Sequence, residues 1–103
     1  MTFYPLESIH NLHDSFRKTV VINDLDLMLL QHQGKVYLLE SICPHAGYPL
    51  DESKLIGTAL RCPMHGYLFE IADGRCTANF EGPCRGLHTY DVVYQGDEVG
   101  VVL

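Results

Sequence analysis

The chain has 103 residues, of which 47% are hydrophobic, so it is long enough for one globular domain with one core. Thirteen acidic residues against seven basic ones give a formal net charge of -6, which argues against nucleic acid or an anionic membrane surface as a partner. No apolar run approaches the roughly 20 residues that span a bilayer. The N-terminus shows no basic start followed by an apolar stretch, so we expect a cytoplasmic protein.

Short runs of β-branched, leucine and aromatic residues, separated by turn residues, predict one small antiparallel all-β domain over residues 1–103. In chain order, Pro5–Leu12 is assigned to a short helix. Strands are then expected at Thr19–Ile22, Leu25–His32, Lys35–Ser41, Ala59–Cys62, Tyr67–Ile71, Leu87–Tyr94 and Glu98–Val102. Turns are expected at Gln33-Gly34, Asp73-Gly74 and Gly96-Asp97.

Two cysteine-histidine pairs stand between these strands, as Cys43-Pro44-His45 and Cys62-Pro63-Met64-His65. Each pair follows a predicted strand, so the two units can project as loops from neighbouring strand ends and their side chains can converge. Two thiolates and two imidazoles favour a metal site over a nucleophile, because a cysteine protease needs only one cysteine and one distant histidine. Zinc remains open, although the common zinc-finger order is two cysteines followed by two histidines.

The remaining cysteines, Cys76 and Cys84, have no neighbouring histidine and are interpreted as ordinary thiols. In a cytosolic chain, four cysteines indicate metal binding or catalysis more often than a disulfide framework.

The order Cys, His, Cys, His, with one residue inside the first pair and two inside the second, resembles the Rieske iron-sulfur proteins. The resemblance covers nearly the whole chain: C-P-H-A-G at 43–47, C-P-M-H-G at 62–66, F-E-I-A-D-G at 69–74, and Gly82-Pro83 before the last strands. The sequence is most similar to the stand-alone ferredoxins that serve ring-hydroxylating oxygenases. This implies a small Rieske-type β-sandwich whose cluster-binding subdomain is built on two finger loops, at about residues 42–69.

The resemblance also implies the cofactor, which is one 2Fe-2S cluster. Cys43 and Cys62 would bind one iron, and His45 and His65 the other. Replacing two thiolates by neutral imidazoles raises the reduction potential above that of an all-cysteine cluster.

Further residues are expected around the cluster. Gly47 and Gly66 would permit tight turns and bring amide groups close to the cluster sulfurs. Tyr67 and Pro83 would lie nearby, with Pro83 in a third loop, at about residues 81–85, that covers the cluster from the side. Asp51 and Glu52 follow the first loop and are candidates for docking a partner.

The resemblance implies that the chain transfers electrons and does not itself make or break bonds in a substrate. A monomer would dock transiently with a flavin-dependent ferredoxin reductase and with a terminal oxygenase. The oxygenase subunits of such systems carry a much larger catalytic domain, whereas this chain stops at residue 103, so a carrier is expected. The alternatives are the small Rieske subunit of an assimilatory nitrite reductase, a regulatory module that senses oxygen or redox state, and a zinc-stabilised interaction domain.

The sequence departs from the respiratory Rieske proteins at four positions. Those proteins join their two loops by a disulfide, and the matching positions here are Tyr48 and Met64, so that disulfide cannot form. They also place a serine and a tyrosine hydroxyl against the cluster sulfurs. The matching residues are Tyr67, which is too long to donate as a serine would, and Phe69, which has no hydroxyl.

Because fewer hydroxyl donors leave more negative charge on the sulfurs, we expect a reduction potential of about -150 mV, near the bottom of the Rieske range. A redox titration followed by visible absorbance measures this potential. A clearly positive value would contradict the expectation.

Overall fold

A computed structural model describes residues 1–44, 47–64, 66–78 and 85–103 of the chain. Within them the chain forms β1 Phe3–Ser8, a 3-10 helix at Ile9–Asn11, β2 Arg17–Ile22, β3 Leu25–His32, β4 Lys35–Glu40, β5 Lys54–Ile56, β6 Ala59–Arg61, β7 Leu68–Glu70, β8 Cys76–Ala78, β9 Thr89–Tyr90, β10 Val93–Gln95 and β11 Glu98–Val102. All pairings between these strands are antiparallel, which confirms the predicted fold class. No helix among the described residues is long and apolar enough to cross a bilayer.

The strands form three sheets, which we name by their place in the fold. The terminal sheet has the order β1-β11-β10, and the central sheet has the order β2-β3-β4-β9. The loop sheet has the order β5-β6-β7-β8 and carries the second cysteine motif between β6 and β7.

The central sheet is buried on both faces, and β3 shows this best. Its four residues Leu27–Leu30 are all buried, with at most 1% of each exposed. Because successive side chains of a strand point to opposite faces, Leu27 and Leu29 pack on the terminal sheet while Met28 and Leu30 pack towards the loop sheet. The unbroken apolar run of β3 is therefore explained by two cores, one on each side of the central sheet.

The predicted helix at Pro5–Leu12 is wrong, because the first half of that segment, residues 5–8, belongs to strand β1. β1 pairs with β11 at the edge of the terminal sheet, and its register shifts between Pro5 and Glu7. Proline lacks an amide donor and is tolerated on an edge strand. Only Ile9–Asn11 is helical, as one 3-10 turn whose first residues are capped by the Ser8 hydroxyl, which accepts from the His10 amide.

Other predicted elements need smaller corrections. The strand expected at Leu87–Tyr94 is divided between two sheets, because β9 pairs with β4 whereas β10 pairs with β11. The short strands β5 and β8 were not predicted. The turns at Gln33-Gly34, Asp73-Gly74 and Gly96-Asp97 are confirmed.

Gly74 marks the closest approach between the loop sheet and the segment that returns to the central sheet. Its backbone has φ of +77°, and its carbonyl accepts a hydrogen bond of 2.7 Å from the Leu87 amide. A Cβ at this position would overlap the Leu87 carbonyl oxygen. The two segments can touch because residues 74 and 86 are both glycine, since a Cβ at residue 86 would likewise overlap the Gly74 carbonyl oxygen.

Replacing Gly74 by alanine should destabilise the protein through both the backbone conformation and this overlap. Gly57→Ala is the matched control, since Gly57 has φ of +64° but open space around a Cβ. We expect the thermal midpoint to fall by about 5 °C for Gly57→Ala and by about 15 °C for Gly74→Ala. Equal losses in the two variants, measured by circular dichroism, would contradict the close approach.

Candidate metal centre

Each cysteine of the paired motif follows a strand end, as predicted. β4 ends at Glu40, shortly before Cys43, and β6 ends at Arg61, directly before Cys62. We call residues 43–50 the first loop and residues 62–67 the second loop. An isolated bridge between Ile42 and Pro49 closes the first loop, and the β6–β7 pairing closes the second.

The two loops share one backbone hydrogen-bond pattern. In the first loop the Cys43 amide donates to the Tyr48 carbonyl at 2.9 Å, and the Gly47 amide donates to the Cys43 carbonyl at 2.8 Å. In the second loop the Cys62 amide donates to the Tyr67 carbonyl at 2.8 Å, and the Gly66 amide donates to the Cys62 carbonyl at 2.8 Å. The repeated order Cys-Pro-x-x-Gly-Tyr thus produces the same turn twice.

The two loop glycines have the turn role that was predicted for them, with φ of +64° at Gly47 and +72° at Gly66. Their amides, however, donate to the carbonyls of the preceding cysteines. The expectation that these turns bring backbone amides close to the cluster sulfurs stays a prediction. Their contribution is to close each turn and so to fix the position of its cysteine.

Both cysteines lie in a core from which water is excluded. Cys43 and Cys62 are each 0% exposed and belong to one buried cluster with Leu60, Tyr67 and Phe69. Neither cysteine is part of a disulfide. A buried thiolate is costly unless it is paired with a cation or coordinates a metal, so this donor set fits thiolate ligation of iron.

The other two predicted ligands, His45 and His65, lie outside the described residues, as do Pro83 and Cys84. Among the residues that the structure does describe, no group of three or more histidine, cysteine, aspartate or glutamate side chains could hold a metal ion. The described half of the predicted ligand set is therefore the pair of buried cysteines.

Tyr67 and Phe69, which replace the hydroxyl-bearing residues of respiratory proteins, are both fully buried beside the cysteines. Tyr67 thus shares a buried cluster with both cysteines, and its place beside the metal cluster stays a prediction. The two residues add aromatic volume to the wall of the site.

Arg17 was missed by the sequence reasoning and anchors the exit of the first loop. Its Nη1 donates to the carbonyls of Ser53 at 2.6 Å, Asp51 at 3.1 Å and Leu50 at 3.4 Å. Partial burial lowers the pKa of Arg17, and the nearby Asp51 carboxylate opposes that change. The sequence does not indicate this contact, because Arg17 lies at the start of β2, 33 to 36 residues before the carbonyls that it contacts.

Glu40 anchors the entry to the first loop from the other side. Its carboxylate accepts from the Arg85 guanidinium at 2.7 and 3.3 Å and from the His88 amide at 2.6 Å. Burial raises the pKa of Glu40, but the hydrogen bonds from Arg85 and His88 outweigh it and hold the pKa below its ordinary value. The residues just before Cys43 are therefore tied to the chain that returns to the central sheet.

The surface beside the loops combines apolar and acidic side chains. Tyr48 and Met64, at the positions of the respiratory disulfide, are 42% and 54% exposed. A groove of about 440 Å³ between the loops is lined by Tyr48, Pro49, Asp51, Glu52 and Pro63. The candidate docking residues Asp51 and Glu52 thus share this groove with one residue of the second loop.

Comparison with known proteins agrees with this geometry. A model of the Rieske [2Fe-2S] domain matches residues 2–91, which confirms the resemblance drawn from the motifs and its one 2Fe-2S cluster. The ferredoxin component of a naphthalene 1,2-dioxygenase system of Pseudomonas aeruginosa is 25% identical over 84 residues, which cover 82% of this chain and 79% of that protein. Cholesterol 7-desaturase nvd of Xenopus laevis is 44% identical over 46 residues, which cover 44% of this chain but 10% of that much longer protein.

The solved structure of the ferredoxin of carbazole 1,9a-dioxygenase from Nocardioides aromaticivorans IC177 superposes on this fold with a TM-score of 0.83 at 25% identity. The superposition covers 98% of this chain and 97% of that ferredoxin. The likeness thus extends over both chains and is not confined to the loops.

The ligand assignment can be tested with two matched substitutions. Cys62→Ser should abolish the visible colour and the bound iron and sulfide, because an alcohol replaces a thiolate in the core. Cys76→Ser should keep about two irons per chain, because Cys76 is interpreted as an ordinary thiol. Loss of iron from the Cys76 variant would show that the ligand set is wrong.

Proposed function

Because this chain belongs to the Rieske [2Fe-2S] domain family, we propose that it is an electron carrier that passes single electrons from a flavin-dependent ferredoxin reductase to a terminal oxygenase. One observation carries the proposal: two loops with the same hydrogen-bond pattern each bury a cysteine in one core. The likeness to ferredoxin components of naphthalene and carbazole dioxygenase systems supports the choice of a carrier.

In this proposal Cys43 and Cys62 bind one iron, while His45 and His65 bind the other. When bound, the cluster accepts and releases one electron without a change in any substrate bond. In this proposal the chain's own contribution is to fix the positions of the loops that carry the ligands. The closed turns, the Arg17 contacts at the exit of the first loop and the Glu40 contacts at its entry all restrict movement there.

The burial of the cysteines has a second consequence for the proposed function. Leu50, Leu60 and Phe69 are each 0% exposed and keep water from the thiolate side of the site. A low-dielectric environment disfavours the negative charge that reduction adds. Fewer hydroxyl donors also leave more negative charge on the sulfurs, so both effects lower the reduction potential. The two aromatic residues at 67 and 69 therefore keep the site dry and contribute to the low potential expected above.

We further propose that the groove between the loops receives the terminal oxygenase. The exposed Tyr48 offers a rigid apolar contact, and Asp51 and Glu52 offer two carboxylates beside it. Charge complementarity then requires lysine or arginine on the oxygenase around an apolar side chain that enters the groove. The cytoplasmic location, the monomeric state and the reductase remain predictions that accompany this proposal.

Low-temperature electron paramagnetic resonance of the purified protein, with iron and sulfide quantified on the same sample, tests the proposal. We expect no signal before reduction and a rhombic signal after dithionite, with an average g below that of an all-cysteine cluster and about two irons per chain. A colourless sample that contains zinc, or no metal after anaerobic reconstitution, would overturn electron transfer.

The same preparations separate the alternative functions. Co-purification with a large sirohaem subunit would favour the small subunit of a nitrite reductase. Loss of the cluster within minutes in air, coupled to release of a partner, would favour a redox-sensing module.

A further inference from the structure

Two cations face each other on the outer side of the loop sheet. Lys54 of β5 is the register partner of Arg61 of β6, and both side chains are exposed. Directly opposite residues of an antiparallel pair point to the same face. The neighbouring pair, Leu55 and Leu60, points to the other face, where Leu60 is buried in the core with the cysteines.

This arrangement of like charges is unfavourable in the isolated chain. Like charges at directly opposite positions of a sheet repel each other. Neither Lys54 nor Arg61 forms an ion pair or a side-chain hydrogen bond with any residue in the described part of the chain. The two positive charges are therefore not neutralised by an ion pair within the described residues, and the carboxylate that the register places on the same face, Glu70 of β7, accepts a hydrogen bond from Thr58 instead.

The contrast with the other cations is informative. Four of them have a partner within the fold: Arg17 with three carbonyls, Lys18 with Glu7, Lys35 with the Tyr37 ring, and Arg85 with Glu40. The cations without such a contact in the described residues are Lys54, Arg61 and Arg75, all within the segment that builds the loop sheet. The described cations without such a contact thus all belong to the loop-sheet segment, and Arg61 directly precedes Cys62.

An apolar side chain lies on the same face. Ile56 is two residues after Lys54 on β5, so it points to the same side, and it is 52% exposed. Arg61 directly precedes Cys62, so this face begins beside one of the two buried cysteines. A protein that covers it would come close to the site without entering the groove between the loops.

From these observations we infer that Lys54, Ile56 and Arg61 form a basic docking face for an acidic redox partner, distinct from the acidic groove. This inference rests on the proposed function. A chain of net charge -6 repels an acidic protein at long range, so docking of such a partner requires a local patch of opposite sign. The groove and the basic face then select partners of opposite charge, which allows one carrier to distinguish its two partners.

The test uses two haem proteins as probes for the two charge types. A microsomal b-type cytochrome carries carboxylates around its exposed haem edge, and cytochrome c carries lysines there. In each reaction the reduced chain loses one electron and one ferric haem iron becomes ferrous. Second-order rates are measured by stopped flow at low and high ionic strength, after iron content and reduction potential have been measured for each variant.

Arg61→Glu and Lys54→Glu should each slow reduction of the b-type cytochrome at least about fivefold at low ionic strength, and the difference should shrink at high ionic strength. Reduction of cytochrome c should not be slowed by either change. Lys35→Glu is the matched control, because it makes the same change of charge at the opposite end of β4 from the first loop. Its rates should stay within about twofold of the unchanged chain.

Three results would overturn the basic face while leaving the carrier function intact. They are unchanged rates in both face variants, an equal loss in the Lys35 control, and an equal loss with both cytochromes, which would indicate a change of driving force. If the protein without any substitution assembles no cluster, both the proposed function and the basic face are overturned.

Discussion

Burial of two cysteine side chains away from water is the constraint on which the rest of this structure depends. Cys43 and Cys62 are completely buried among apolar side chains, an environment that disfavours a negative charge unless a metal compensates it. Strand ends and matched turns bring both thiols into that environment. Each turn is closed by its own glycine amide, which donates to the carbonyl of its cysteine.

The core that buries the cysteines depends on the central sheet. Because β3 is apolar on both faces, one face supports the site while the other packs on the terminal sheet. Polar contacts then fix the first loop to this support, through Arg17 at its exit and Glu40 at its entry. The first loop is thus held at its entry and at its exit by side-chain contacts from other parts of the chain.

In the proposed function the surface around the site has a second role, because a carrier that serves a reductase and an oxygenase must bind and release both. An acidic chain with a uniform surface would approach only basic proteins. Here the carboxylates of Asp51 and Glu52 line the groove, whereas Lys54 and Arg61 lie on the outer face of the adjacent sheet. In our proposal the acidic groove and the basic face therefore bind partners of opposite charge. Both surfaces adjoin the loops that carry the buried cysteines.

By itself the sequence determined the cysteine-histidine pairs, the central strands β3 and β4, the last strand β11 and the all-β class. These features are local. The spacing of cysteine and histidine, the turn residues and the pattern of apolar positions can each be recognised within a few neighbouring residues. The segment around Pro5 could not be assigned correctly, because it becomes a strand only by pairing with β11 at the far end of the chain. The strands β5 and β8 were missed, and each is an edge strand of the loop sheet that pairs with one neighbour, β6 or β7. Tertiary structure alone decided the contacts of Arg17 and the meeting of Lys54 with Arg61, because both depend on which strands become neighbours and in which register.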